Sequence, residues 1–429
     1  MGGRGEVCCK VKEGLETNIL HLSGYGVKIK VKNMRSRSDL YVTDGQDSFD
    51  RQPSTYSFRP RRIPHDSIII DGHSGYISLQ AFHWLSRNRI PVFILSFDGT
   101  LISSILPPMP VKADLRVAQI DSFRDPRKRF TIAHAIVEAK IQRSLDVLHW
   151  LGERYDVGRK IREAKKEALQ LPKAKAVNDL RVVEARVAQK YWETFQSVIP
   201  ETLCFQSRLI RSRRPNNASD PVNLALNYSY GVLEGEVRRA INRVGLEPSI
   251  GWLHEFTGAQ TKESCVYDLM EPFRFLGDLT TIEAFESRTL DLKDFYFTGD
   301  DYSYRIEIEA KRRFLQLLKD RFNSGVRYKG CVLKWDTVIE QKTTELARYL
   351  VAKSRLPALS EPKPELDRTD SLELRRSILS LSQLEAKELG IGKSTLHYLQ
   401  KNASSERRFK IHNEVFNRLE RAQVTDHGI

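Results

Sequence analysis

The chain has 429 residues, 40% hydrophobic and 29% charged, with 69 basic against 55 acidic side chains and a net charge of +14. That length suits two or three domains around at least one large core, and the positive surplus favours a polyanionic partner, although an ordinary basic enzyme carries the same balance. No apolar run of roughly 18 residues and no signal-peptide core occur, which argues against a membrane-spanning or secreted chain. The five cysteines form no CxxC pair, so a reducing, cytoplasmic setting is expected.

From about Glu16 to Leu106 apolar residues recur mostly with period two. Asn18 to Leu22 leads through Gly24-Tyr-Gly26 into Val27 to Val31, which predicts a hairpin. Further strands are expected at Leu40 to Val42, Ser67 to Asp71, Pro91 to Leu95 and Gly99 to Leu106, with a short helix over Ser74 to Leu85. Ser48 to Arg62 is a polar, arginine-rich insertion. Pro107, Pro108 and Pro110 mark a linker, and beyond it the pattern turns helical. Helices are expected at Arg129 to Trp150, Lys160 to Leu171, Val177 to Trp192 and, further on, Tyr302 to Phe322 and Trp335 to Ala352. In the third, Leu180, Val183, Val187 and Tyr191 face inward, and Glu184 sits at the margin of that face, the usual place of a solvated glutamate.

Phe205 to Asn217 holds Arg208, Arg211, Arg213 and Arg214, a basic loop suited to phosphate contact or to a solvated turn. Residues 223–254 read NLALNYSYGVLEGEVRRAINRVGLEPSIGWLH and 265–274 read CVYDLMEPFR. Leu224, Leu226, Tyr230, Leu233, Val237 and Ile241 predict one buried helical stripe, broken by Gly245, Pro248 and Gly251 so that His254 lies at the far end. Asp268 and Glu271, three apart, share a helical face. Imidazole and carboxylate together suit a divalent ion, and an imidazole at a helix end equally suits a cap. Tyr228, Tyr230, Arg238 and Arg239 are placed either to flank DNA or, for the tyrosines, to pack in the core.

Leu356 to Thr369 carries three prolines and reads as a second linker. Leu381 to Lys401 then reads as a helix-turn-helix. Leu384, Ala386 and Leu389 are expected inward on the first helix, Gly390 to Gly392 form the turn, and Leu396 and Leu399 are inward on the second. Lys393, Ser394, Thr395, His397 and Tyr398 lie where a recognition helix meets the major groove, with Arg407, Arg408 and Lys410 toward phosphates; a helical hairpin for protein contact is the alternative. The expected class is α+β and multidomain. A strand-rich β domain spans 1–106 and a linker 107–115. An all-α catalytic domain follows at 116–353, then a second linker at 354–370 and a helix-turn-helix at 371–429.

Residues 223–254 with 265–274 closely resemble the CRISPR adaptation integrase family, with its Asn-x-x-Leu-Asn-Tyr-x-Tyr helix, Gly-Leu-x-Pro-x-Ile-Gly-x-Leu-His turn and Tyr-Asp-Leu-Met-Glu-Pro-Phe-Arg helix. The likeness covers roughly 15–350, including the β domain. It implies a metal-ligating glutamate at Glu184, where Ala185 replaces the glycine that family members often carry next. It further implies that Glu184, His254 and Glu271 hold Mn²⁺ or Mg²⁺, with Asp268 as a further catalytic residue. Pro272 is expected to disturb the helix beside them. A helix-turn-helix after this domain resembles the casposases, the transposon-borne branch. The resemblance therefore implies joining of a mobile element's 3′-OH ends to double-stranded target DNA by a homodimer or dimer of dimers. Spacer acquisition at a CRISPR array and non-catalytic DNA binding remain as alternatives. No HExxH zinc motif arises at His254, since Gly258 stands in the second histidine's place, and no phosphate-binding P-loop occurs.

Overall fold

A computed structural model describes residues 19–34, 37–46, 53–72, 74–108, 112–208, 219–254, 263–298, 303–364 and 378–404. The strand-rich part forms two four-stranded sheets. In the first, β1 (Ile19–Gly24), β5 (Ser67–Gly72) and β7 (Val92–Leu95) run parallel, and β8 (Leu101–Ile105) closes the edge antiparallel to β7. In the second, β4 (Thr55–Phe58), β3 (Arg37–Thr43) and β2 (Val27–Met34) are antiparallel, and β6 (Gly75–Ile77) pairs parallel to β2. Helix α1 (Leu79–Arg87) packs between them, and Leu22, Ile29, Leu40, Ile68, Trp84 and Val92 share one core.

The period-two reading found six of these eight strands, not β4 or β6, and mispaired the first two; the helix expected over Ser74 to Leu85 begins only at Leu79, since Gly75–Ile77 is strand β6. Gly24 and Gly26 both take positive φ, 93° and 81°, and the kink they make sends β1 and β2 into different sheets instead of a hairpin. The described part of the polar insertion contributes β4, the edge strand of the second sheet, where its polar side chains suit one solvated face.

The helical part runs through α2 (Ala113–Arg124), α3 (Pro126–Gly152), α4 (Gly158–Ala168), α5 (Val177–Val198), α6 (Pro221–Val244), α7 (Ser264–Met270) and α8 (Arg274–Glu286). It continues with α9 (Ile308–Asn323) and α10 (Trp335–Leu350). Two hairpins interrupt it, β9 (Phe295–Thr298) with β10 (Ser303–Ile306) and β11 (Gly325–Tyr328) with β12 (Cys331–Lys334), so the expectation of an all-α domain is corrected. These strands are four residues each, too short for period two to show against helical neighbours. Helix α6 is capped by the Asp220 carboxylate accepting from Asn223 N at 2.8 Å, starts at Pro221, and ends at Gly245 in the left-handed region. It is buried on almost every face, Glu234 and Glu236 included, and is a central helix with more than the single stripe expected. Among the described residues no helix is long and apolar enough to cross a membrane.

A buried polar cluster joins the sheets to the helices. Asp71 on β5 pairs with the Lys311 ammonium of α9, both nearly inaccessible, while His21 Nε2 of β1 lies 3.7 Å away. Tyr228 of α6 donates to Phe97 O at 3.0 Å, and the Gly99 turn presses against Gly231, where a Cβ would meet Gly99 O at 2.2 Å. Tyr228 is therefore core packing. Burial alone would raise the Asp71 carboxyl, but Lys311 and His21 hold it below its usual value. Lys311→Met is expected to destabilise by about 3–5 kcal/mol in urea unfolding, and Asp71→Asn/Lys311→Met by clearly less, because the uncompensated charge is then gone. Equal losses would contradict this account of the junction.

Candidate active site

Four segments bring functional side chains to one end of the helical core: α3, α5, the loop following α6, and the α7–α8 junction. On α5, Leu180, Val183, Val187 and Tyr191 are buried as their spacing predicts, leaving Glu184 half-buried at the margin. The α7–α8 junction is a break: α7 stops at Met270, Glu271–Phe273 forms a 3-10 turn, and α8 restarts at Arg274. Pro272, lacking an N–H, fits that interruption. Neither acid lies on a solvated face, since Asp268 is wholly buried and Glu271 nearly so.

Asp268 organises the loop. Its carboxylate accepts from Trp252 N, from Leu253 N at 2.9 Å and from His254 N at 3.0 Å, and meets His254 Nδ1 at 2.6 Å. A carboxylate only accepts, so Nδ1 carries the proton and Nε2 presents its lone pair. Gly251 makes the wrap possible, because a Cβ there would stand 2.7 Å from Asp268 Oδ2 and from the Ser264 backbone. Arg181 of α5 and Arg129 of α3 tether the loop by donating to Leu253 O and Trp252 O at 3.1 and 3.0 Å. Where the sequence reading expected a further catalytic acid, the Asp268 oxygens are engaged by the loop and by His254.

Glu184 and Glu271 meet at a side chain that the sequence reading missed. Lys140 of α3 places its ammonium 2.5 Å from Glu184 Oε1 and 2.9 Å from Glu271 Oε2. Arg274 Nε lies 3.1 Å from the same Glu271 oxygen, and Glu271 Oε1 faces His254 Nε2 at 3.9 Å. Burial opposes ionisation of Glu271, yet Arg274, Lys140 and His254 outweigh it and hold the carboxyl at about 2. Burial likewise works against charge on Lys140, and Glu271 and Glu184 overcome it and raise its pKa.

Among the described residues no three His, Cys, Asp or Glu side chains are gathered closely enough to hold an ion as they stand. The donors nevertheless fit one. Two carboxylates already share a cation, the ammonium of Lys140 standing in for it, and the imidazole is locked with Nε2 free toward Glu271. Two coordination bonds of about 2.1 Å span up to about 4.2 Å, so the 3.9 Å between Nε2 and Oε1 is within reach of a single ion.

Beside this cluster lies a cavity of about 280 Å³ that Lys140, Glu184, Glu271, Arg208, Tyr230 and Arg274 help to line. Arg208 and Arg274 sit over the Tyr230 ring at 5.2 and 4.9 Å. Tyr230 and Tyr191 both donate to the buried Asp278 carboxyl, which burial pushes up against the pull of those hydroxyls and of the two arginines. Arg208 is further held by Asn223 and Asn227 at 3.2 and 3.1 Å. Arg211, Arg213 and Arg214 lie outside the described residues. Arg238 and Arg239 are corrected: the first is paired with Glu234 and Glu263, the second with Glu236 and Asp336, and both are mostly buried, so their charge is used within the protein.

Farther along, α11 (Gln383–Glu388) begins with a capping box between Ser382 and Glu385, and Gly390, at φ 69°, turns the chain into α12 (Lys393–Ala403). Ala386, Ile391, Leu396 and Leu399 are buried between the two helices and Leu389 is partly so, but Leu384 is exposed, one position off the inward face. Lys393, Ser394, His397 and Tyr398 are exposed and Thr395 half-buried; Arg407, Arg408 and Lys410 lie outside the described residues.

The drop of Glu271 from 4.5 to about 2 gives a stability contribution present above pH ~4.5 and lost as pH falls toward 2. By that linkage Glu271→Gln is expected to lose about 3 kcal/mol at pH 7, with the gap to the unsubstituted protein narrowing by pH 3 in urea titrations. A gap independent of pH would contradict the proposed charge balance.

Residues 32–320 match the family described as CRISPR associated protein Cas1. The CRISPR-associated endonuclease Cas1 1 of Archaeoglobus fulgidus is 27% identical over 67% of this chain and 87% of its own length. The CRISPR-associated endonuclease Cas1 3 of Thermus thermophilus is 30% identical over 62% of this chain and 76% of its own. Among solved structures, a casposase bound to integration product is 35% identical, with a TM-score of 0.77 over 85% of this chain and 99% of that one. On the extent of these matches, the chain belongs to the Cas1 family.

Proposed function

We propose that this chain is a divalent-metal-dependent DNA integrase of the casposase kind, joining the 3′-OH ends of a mobile element to double-stranded target DNA. The carrying observation is the meeting of Glu184 and Glu271 on one cation with the Nε2 of His254 turned toward them. Among solved structures the casposase likeness stands at 35% identity and a TM-score of 0.77, against 18% and 0.61 for a Cas1 protein from Thermotoga maritima, which favours the transposon-borne reading over spacer acquisition.

In this reading Glu184, His254 and Glu271 hold Mn²⁺ or Mg²⁺, a hard oxygen-rich set with one imidazole. When bound, that ion polarises the scissile phosphate and lowers the pKa of the attacking 3′-hydroxyl. The donor 3′-oxygen forms a bond to the target phosphorus, the target P–O3′ bond breaks, the proton of the donor hydroxyl passes to solvent, and the departing 3′-oxygen takes one from solvent. No protein atom is bonded to DNA along the way. Asp268 keeps the proton on His254 Nδ1 and so keeps Nε2 available. Arg208 and Arg274, stacked at Tyr230, offer guanidinium groups to backbone phosphates in the cavity. Exposed Lys393, Ser394, His397 and Tyr398 on α12, with Thr395, face duplex DNA in the manner of a recognition helix. Two ends joined at a fixed spacing call for two such sites, hence a homodimer or dimer of dimers on DNA.

His254→Ala is expected to abolish joining of a 3′-OH duplex oligonucleotide to plasmid while leaving gel-shift affinity for the duplex, measured without divalent ion, nearly unchanged. A variant that still joins ends would remove the metal role from His254, and a silent unsubstituted protein would favour the non-catalytic binder. Preference for terminal inverted repeats over short duplexes plus a repeat array separates the two integrase readings.

A further inference from the structure

Lys140 is tied to both acids of the site and is shared by no other described carboxylate at such range. Together with Arg274 it brings two positive charges against the two negative charges of Glu184 and Glu271. The third acid, Asp268, adds nothing free, since four N–H groups already occupy it. The free protein thus presents a cation site whose acids are already neutralised from within. A divalent ion entering there meets an ammonium and a guanidinium close by, a like-charge cost that grows as the surroundings lose water. The orientation of Glu271 shows how the conflict can be relieved: Oε2 is given to Lys140 and Arg274, and Oε1 is left toward His254. Lys140 is itself a quarter exposed and lines the cavity, so its flexible stem can carry the ammonium from the acids to an anion lying in that cavity.

Building on the metal-dependent reading above, we propose that Lys140 is a positioning residue that makes cation uptake depend on bound DNA. Its ammonium balances Glu184 and Glu271 in the free protein and transfers to a DNA backbone phosphate when the ion takes the two acids. The phosphate supplies the negative charge that the cluster lacks for a divalent ion. Coupling of this kind is reciprocal, so the ion tightens DNA binding by the factor by which DNA tightens ion binding.

The test is Mn²⁺ binding by the full chain, followed by the loss of the free-ion paramagnetic resonance signal. It is run with and without a duplex whose 3′ ends are dideoxy-blocked, so that no joining occurs. The unsubstituted protein is expected to bind Mn²⁺ at least about 10-fold more tightly with the duplex, in the range of ordinary allosteric coupling. Lys140→Met should bind Mn²⁺ more tightly than the unsubstituted protein without DNA and lose most of the DNA enhancement. Lys140→Arg, which keeps the charge, should retain that enhancement. A merely structural role predicts weaker Mn²⁺ binding in the methionine variant under both conditions, and that result overturns the proposal, as does a full DNA enhancement in Lys140→Met. Should Lys140→Met fail to fold by circular dichroism, Lys140→Gln replaces it with the same expectations. His254→Ala separates the two levels. If it titrates like the unsubstituted protein with and without DNA, the metal reading fails and takes this inference with it. If it loses binding while Lys140→Met keeps the full enhancement, only the role of Lys140 fails.

Discussion

A carboxylate withdrawn from water needs positive charge beside it, and Glu271 is the case on which the site turns. It is nearly inaccessible, yet Arg274, Lys140 and His254 keep it ionised far below the usual range. Those partners come from α3, the loop after α6 and α8, so the helices cannot pack in their observed arrangement without assembling the cluster. Glu184 joins through the same ammonium from α5. Packing of the helical core and assembly of the chemistry are one event here.

The same logic operates at a second place with a different result. Asp71 and Lys311 form a closed buried pair between the sheets and the helices, with Tyr228 and the Gly99–Gly231 contact alongside. Both members of that pair are almost inaccessible, whereas Lys140 and Arg274 line a cavity. The first fixes the orientation of the two parts; the second leaves charge within reach of a polyanion. Asp268 shows a third arrangement, in which a buried acid is surrounded by N–H groups that donate to it instead of by a cationic side chain of Lys or Arg. It meets His254 Nδ1, and the Nε2 of that ring faces Glu271.

Six of the eight strand positions of the β part, the inward face of α5, the end of α6 at Gly245 and the helix break at Pro272 could be read from periodicity and from residues with fixed backbone preferences. Strand pairing could not, because two glycines with positive φ redirect the chain and alternation carries no register. The β9–β12 hairpins were too short to register as a pattern. Glu184, His254 and Glu271 were singled out chiefly by family likeness, since each alone has a common structural use. Lys140 escaped notice because a lysine in an amphipathic helix reads as solvated. Its sequence signal is weak: it falls between Ala139 and Ile141, both buried, near the inward side of α3. Arg238 and Arg239 misled for the reverse reason. Arginines on a helix look available for phosphate until their acidic partners, up to 97 residues away for Asp336, are folded against them. Long-range charge pairing is the information that a single sequence withholds.

In the proposed site Glu184, His254 and Glu271 share a single cation. A crystal of the full chain with dideoxy-blocked duplex and Mn²⁺, measured at the manganese edge, tests it most directly. The account predicts an anomalous peak within about 2.3 Å of His254 Nε2 and of one oxygen from each glutamate, with the Lys140 ammonium drawn off the acids. A peak elsewhere, or an undisturbed Lys140 bridge with no peak between these residues, would contradict it.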